Sequence, residues 1–185
     1  MKKLLYTLLA VSMIFSACKK EEAKTTSSIC GNIDVTENGV NLTYTPSPYS
    51  GCDEARLTYN NGSLMGVVIP FVSWSGGTME WQCNAVIENF TSIPINIGQT
   101  YSGTTVPSSP NVLNLSFWNM INGTSMNNHP PTNTSVKNGT LKITNIDYTN
   151  NLIDGNFSFT GYQVLGGSSK QITCTFSDVP FTIVQ

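Results

Sequence analysis

The chain has 185 residues, 39% apolar and 11% charged, with a formal net charge of −2 and a pI near 5.2. That length supports one domain with a real core, and with no basic stripe nucleic acid is excluded as an expected partner. Asn, Thr, Ser and Gly stand where charges usually do; they disfavour helices and suit short strands joined by many turns.

The first element is an export signal. Met1-Lys2-Lys3 is a positive start, Leu4 to Phe15 is an apolar run broken by Thr7 and Ser12, and Ser16-Ala17 lead to Cys18. As a helix the run reaches about 18 Å, short of a hydrocarbon core of about 30 Å. Positive start, apolar middle and small residues make residues 1–17 a secretory signal peptide.

Phe15-Ser16-Ala17-Cys18 resembles a bacterial lipobox, with Phe15 where Leu is usual. The resemblance implies a lipoprotein: cleavage before Cys18, a diacylglycerol thioether on its sulfur, and acylation of the new amino group. The partner at this end is then a membrane, held by acyl chains at about 0.8 kcal/mol per buried CH₂. Lys19-Lys20-Glu21-Glu22 and the polar residues after them make 18–29 a flexible, lipidated tether. Its Glu21-Glu22 resembles the surface-export signal of Bacteroidota-type lipoproteins, which implies the cell envelope, at the outer membrane, on the cell surface or the periplasmic side.

Residues 30–185 read as a single all-β domain. Asn41 to Tyr44 alternates and stops at Pro46 and Pro48; Ala55 to Tyr59 alternates and stops at the turn signal Asn60-Asn61-Gly62. Leu64 to Phe71 is more continuously apolar, a central strand with Pro70 at its end or on an edge. Met79 to Phe90 is the longest alternating run, and Val112 to Trp118 puts Leu113, Leu115 and Phe117 on one face. Met120 to Asn138 is polar and Pro-bearing, and reads as a long exposed loop. Gly139 to Ile146 and Ile153 to Phe159 form a hairpin around a turn at Asp147 to Leu152, and Gln171 to Phe176 and Pro180 to Val184 are two late strands. Such strands predict an antiparallel β-sandwich, with a lipocalin-like β-barrel as the alternative. The Gly139–Thr144, Asp147 and Ile153–Phe159 segments are similar to a pattern in uncharacterised small all-β lipoproteins of Bacteroidota type. That resemblance implies a small exported all-β lipoprotein, with no assigned activity and no known catalytic residues to carry over.

With Cys18 taken by lipid, Cys30, Cys52, Cys83 and Cys174 remain, an even number in an exported chain. Three connectivities are open to four cysteines. Cys83 shares an apolar face with Trp81 and Ala85, and Cys174 with Ile172 and Phe176. The expected bridges are therefore Cys83–Cys174 and, by remainder, Cys30–Cys52; four buried free thiols are the alternative.

Chemistry is sparse. His129 is the single histidine and sits in a Pro-bearing loop without a nucleophile elbow. Carboxylates are few, and no pair is obvious for a glycosidase. Asp147, Asn150, Asn151 and Asp154 read as an Asx-rich turn rather than a calcium loop. Neither a catalytic residue, a metal nor a cofactor is expected. The aromatics are the lead: Trp74, Trp118, Tyr101 and Tyr162 are candidate platforms for stacking on a glycan or small ligand. The expected role is non-enzymatic binding or structure at the cell envelope, with carbohydrate as the first ligand class. A small-ligand-binding barrel and a carboxylate-dependent hydrolase are the alternatives.

Overall fold

The computed structural model describes residues 30–49, 51–89, 94–103, 111–121, 123–128, 138–163 and 168–184. The stretches read from the sequence as a signal peptide (1–17) and a tether (18–29), with Cys18, and His129 lie outside these residues. Eleven strands follow in chain order among the described residues: β1 (Asn32–Glu37), β2 (Val40–Leu42), β3 (Ala55–Asn60), β4 (Ser63–Ser75), β5 (Thr78–Asn89), β6 (Thr100–Ser102), β7 (Asn111–Asn119), β8 (Thr124–Asn127), β9 (Thr140–Asp147), β10 (Leu152–Gln163) and β11 (Lys170–Val184). Alternation drives them: buried and less buried residues alternate along β4, β10 and β11, so each lays one face on a core.

The strands make two layers, β2-β1-β11-β10-β9-β6 and β3-β4-β5-β7-β8. Two long strands stitch them together. β11 pairs with β1 and β10 as far as Pro180, then runs beside β3 from Phe181 to Val184. β10 gives Tyr162 and Gln163 to β8. The sandwich thus closes as a barrel does: β11-β3-β4-β5-β7-β8-β10 returns by hydrogen bonds to β11.

Four expectations are corrected. The two late strands are one, β11, which bends where Asp178 takes a φ of 55° and donates its N–H to Asp154 (2.7 Å). Its junction with β3 is parallel, so the sheet is mixed rather than wholly antiparallel. The exposed loop at 120–138 contains β8, whose Thr124 and Met126 are buried and are followed by buried Asn128. Pro70 lies inside β4, neither at its end nor on an edge strand. Val72, in the same phase, sends its N–H away from β5 to Asp53, and β3 pairs with β4 only as far as Val68. Pro70, with no N–H, suits a position past the end of its neighbour.

The core lies between the layers. Phe71 and Phe117 of one layer and Phe157, Phe159 and Phe176 of the other are buried within it. The Phe176 ring sits 5.6 Å from that of Phe71 and 6.5 Å from that of Phe157, centroid to centroid. Packing of this kind makes the ring's interior a side-chain core.

Candidate functional site

The residues that point away from this core, on the layer β3-β4-β5-β7-β8, form the site. Register places them in rows, because residues directly opposite in a ladder share a face. Val72, Gln82, Trp118 and Ser125 make one row across β4, β5, β7 and β8. Pro70, Asn84, Ser116, Asn127 and Tyr162 make the next, ending on β10. Trp74 lies beyond the first row, two residues along β4 from Val72.

Trp74, Trp118 and Tyr162 therefore share one outer face and step diagonally across it. With strands about 4.8 Å apart and about 3.4 Å of rise per residue, successive aromatics stand about 12 Å apart along that diagonal. Trp118 is 43% exposed, and Trp74 and Tyr162 are half-buried. Between them runs a band of amides and hydroxyls. Gln82 donates its Nε2 to Asn84 Oδ1 (3.2 Å), and Asn84 donates its Nδ2 to Ser116 Oγ (3.4 Å). Neither row holds a charged residue. Flat rings flanked by oriented amides can stack on an apolar sugar face and bond its hydroxyls, or take another neutral, amphipathic ring.

The Trp74 end is built by residues 43–49 and 51–53, which lie beside β4 ahead of the start of β3. Trp74 N–H donates to Thr45 O (3.0 Å), and Val72 N–H donates to Asp53 (2.6 Å). Ser73 Oγ donates to Thr43 O and accepts from Thr45 N, both at 3.1 Å, while Trp81 Nε1 donates to Thr43 O (3.2 Å). Burial raises the Asp53 carboxyl above its ordinary value, while the Val72 N–H and the Tyr44 hydroxyl pull it the other way. The segment carries Tyr49, which is 78% exposed and sets its ring edge-on to Trp74 at 6.0 Å. Thr45, Pro46, Pro48, Gly76 and Gly77 complete a cleft of about 390 Å³ around the two rings. Gly77 has a φ of 85°, which residues with a side chain rarely adopt, so the turn between β4 and β5 favours glycine there.

A disulfide anchors this segment. Cys30 and Cys52 are bonded, with an S–S distance of 2.08 Å. The expected Cys83–Cys174 bridge is corrected: both thiols are free and buried. They face the same core from opposite layers, Cys83 on β5 and Cys174 on β11, and a shared core does not by itself give two cysteines the separation and orientation that a disulfide needs. Burial pushes both thiols up, and for Cys174 the neighbouring Cys83 and Asp34 add to it.

Tyr101 is corrected too. It is 5% exposed, and its hydroxyl accepts from Asn96 N–H (2.6 Å) and donates to Gln99 (3.4 Å), so it is a core residue and not a platform. The Asp147 turn uses its oxygens internally: Asp147 accepts from Thr149 N–H, Asn150 N–H and Asn150 Nδ2. Bonds from the Asn150 side chain and backbone hold its carboxyl below the usual range. Among the described residues no group of three or more His, Cys, Asp or Glu is placed to hold a metal ion.

Sequence reading missed Tyr49, Gln82 and Asn84. For Gln82 and Asn84 the signal was present, since both fall on the polar phase of β5 opposite Trp118 and Ser116. For Tyr49 there was none, because only the 43–53 segment's return to β4 brings it to Trp74. No family model, curated protein or solved structure matches the chain.

Proposed function

We propose that the chain is a lipid-anchored, non-enzymatic binding protein of the bacterial cell envelope, and that the outer face of its β3-β4-β5-β7-β8 layer binds a neutral glycan. The observation that carries the ligand class is the diagonal of Trp74, Trp118 and Tyr162 across an uncharged band of Gln82, Asn84 and Ser116. A glycan strand laid along it meets a ring at intervals and amides between, and the hydrogen-bonded amides are already oriented. The anchor rests on the lipobox-like stretch at Phe15–Cys18.

Titration of the protein with neutral oligosaccharides, read by tryptophan fluorescence, tests the face. Trp118→Ala is expected to weaken binding by about tenfold or more while leaving the melting curve in place. Binding that Trp118→Ala and Trp74→Ala both leave untouched overturns this site. The anchor has its own test: Cys18→Ser is expected to release the protein from membranes, and a variant that still sediments with membranes in high salt refutes it.

A further inference from the structure

A second cleft, of about 470 Å³, opens far from the Trp74 end, between Tyr59, Asn60, Asn61, Gly62, Tyr148 and Ile183. From Gly62 to Trp74 an extended strand covers about 40 Å. Its central ring is Tyr148, which is 52% exposed yet pinned twice. The ring stands edge-on to Phe181 at 6.1 Å, and its hydroxyl lies 2.6 Å from that of Tyr59. The turn that carries it is tied down by the Asp147 carboxylate. The opposite wall is the turn between β3 and β4, where Asn61 and Gly62 have φ of 49° and 78°. An aromatic face held this firmly loses little side-chain freedom when something stacks on it.

The chemistry of the lining selects the ligand. Two tyrosine hydroxyls share one hydrogen bond, so one O–H proton remains to be offered outward. Burial, and then Tyr148, push the Tyr59 hydroxyl's ionisation upward, so it keeps its proton at neutral pH. The amides of Asn60 and Asn61 line the wall without a hydrogen-bond partner among the described residues. Ile183 adds an apolar patch, and none of the six lining residues is charged.

We propose that this cleft is a second, independent saccharide site that takes a neutral pyranose ring stacked on Tyr148, with Asn60, Asn61 and the tyrosine hydroxyls bonding its hydroxyl groups. The saccharide class rests in part on the reading of the outer face; the site itself does not. Two such sites on one chain let the protein bridge two glycan strands.

The test is calorimetric titration of the full chain, in a non-glycosidic detergent, with cellohexaose, xylohexaose and mannohexaose. Tyr148→Ala is the direct variant. Asn60→Ala is the second, because it removes a cleft amide without touching packed side chains. The expected result is about two equivalents bound per chain, with one event lost in Tyr148→Ala, weakened about tenfold in Asn60→Ala, and the other lost in Trp118→Ala. A single event lost in Trp118→Ala, with Tyr148→Ala and Asn60→Ala like the wild type, overturns the second site and leaves the outer face standing. A single event lost in Tyr148→Ala and weakened in Asn60→Ala supports the cleft and overturns the outer face. No binding to any of the three sugars overturns both.

Discussion

Asn138 closes the junction on which one end of the proposed site depends. Its Nδ2 donates to Asn128 O (2.9 Å) and to Thr160 O (3.0 Å), and its Oδ1 accepts from Thr160 N–H (2.8 Å). Asn128, 1% exposed, answers with Nδ2 bonds to Leu113 O (3.0 Å) and Asn138 O (2.8 Å). This clasp ties β7, the end of β8 and β10 together just before Tyr162. Asn138→Ala removes three side-chain bonds at roughly 1 kcal/mol each, so the expected loss is about 3 kcal/mol. For a chain of this size that lowers Tm by about 6–12 °C. Asn138→Asp keeps the acceptor but sets a carboxylate against two carbonyl oxygens, and is expected to cost more than Ala. Urea unfolding followed by tryptophan fluorescence measures both. A loss under about 1 kcal/mol for Asn138→Ala, or Asp more stable than Ala, refutes the clasp.

Two further outcomes follow from the cysteines. The Cys30–Cys52 bond closes a loop with a sequence separation of 22. On the chain-entropy model, replacing both by Ser costs about 3 kcal/mol, which calorimetry reads as a lower Tm; an unchanged Tm contradicts it. Cys83 and Cys174 are expected to resist alkylation in the native chain and to react together once it is unfolded. Non-reducing peptide mapping that finds them linked contradicts the free-thiol core.

Much of the domain was legible because alternation is a local property. The period of two along Ile153 to Phe159 set Ile153, Phe157 and Phe159 inward, and they are buried. The same period put Leu113, Leu115 and Phe117 inward and Trp118 outward, as they are found. β8 escaped notice because it is four residues long and polar at every position but Met126. Its burial comes from pairing with β7 and β10, which no local pattern announces.

What the sequence determined by itself was the all-β class, the inward and outward faces of the main strands, and the turns at signals such as Asn60-Asn61-Gly62, since each depends on a few adjacent residues. Tertiary structure decided which faces and which cysteines meet. Cys83 and Cys174 both point inward, yet it is Cys30 and Cys52 that bond, because facing one core does not set the Cα separation and Cβ orientation that a disulfide needs. Trp74, Trp118 and Tyr162 lie on three strands far apart in sequence. Strand order and register, set by long-range pairing across β4, β5, β7, β8 and β10, bring them to one face, while Tyr101 is drawn into the core.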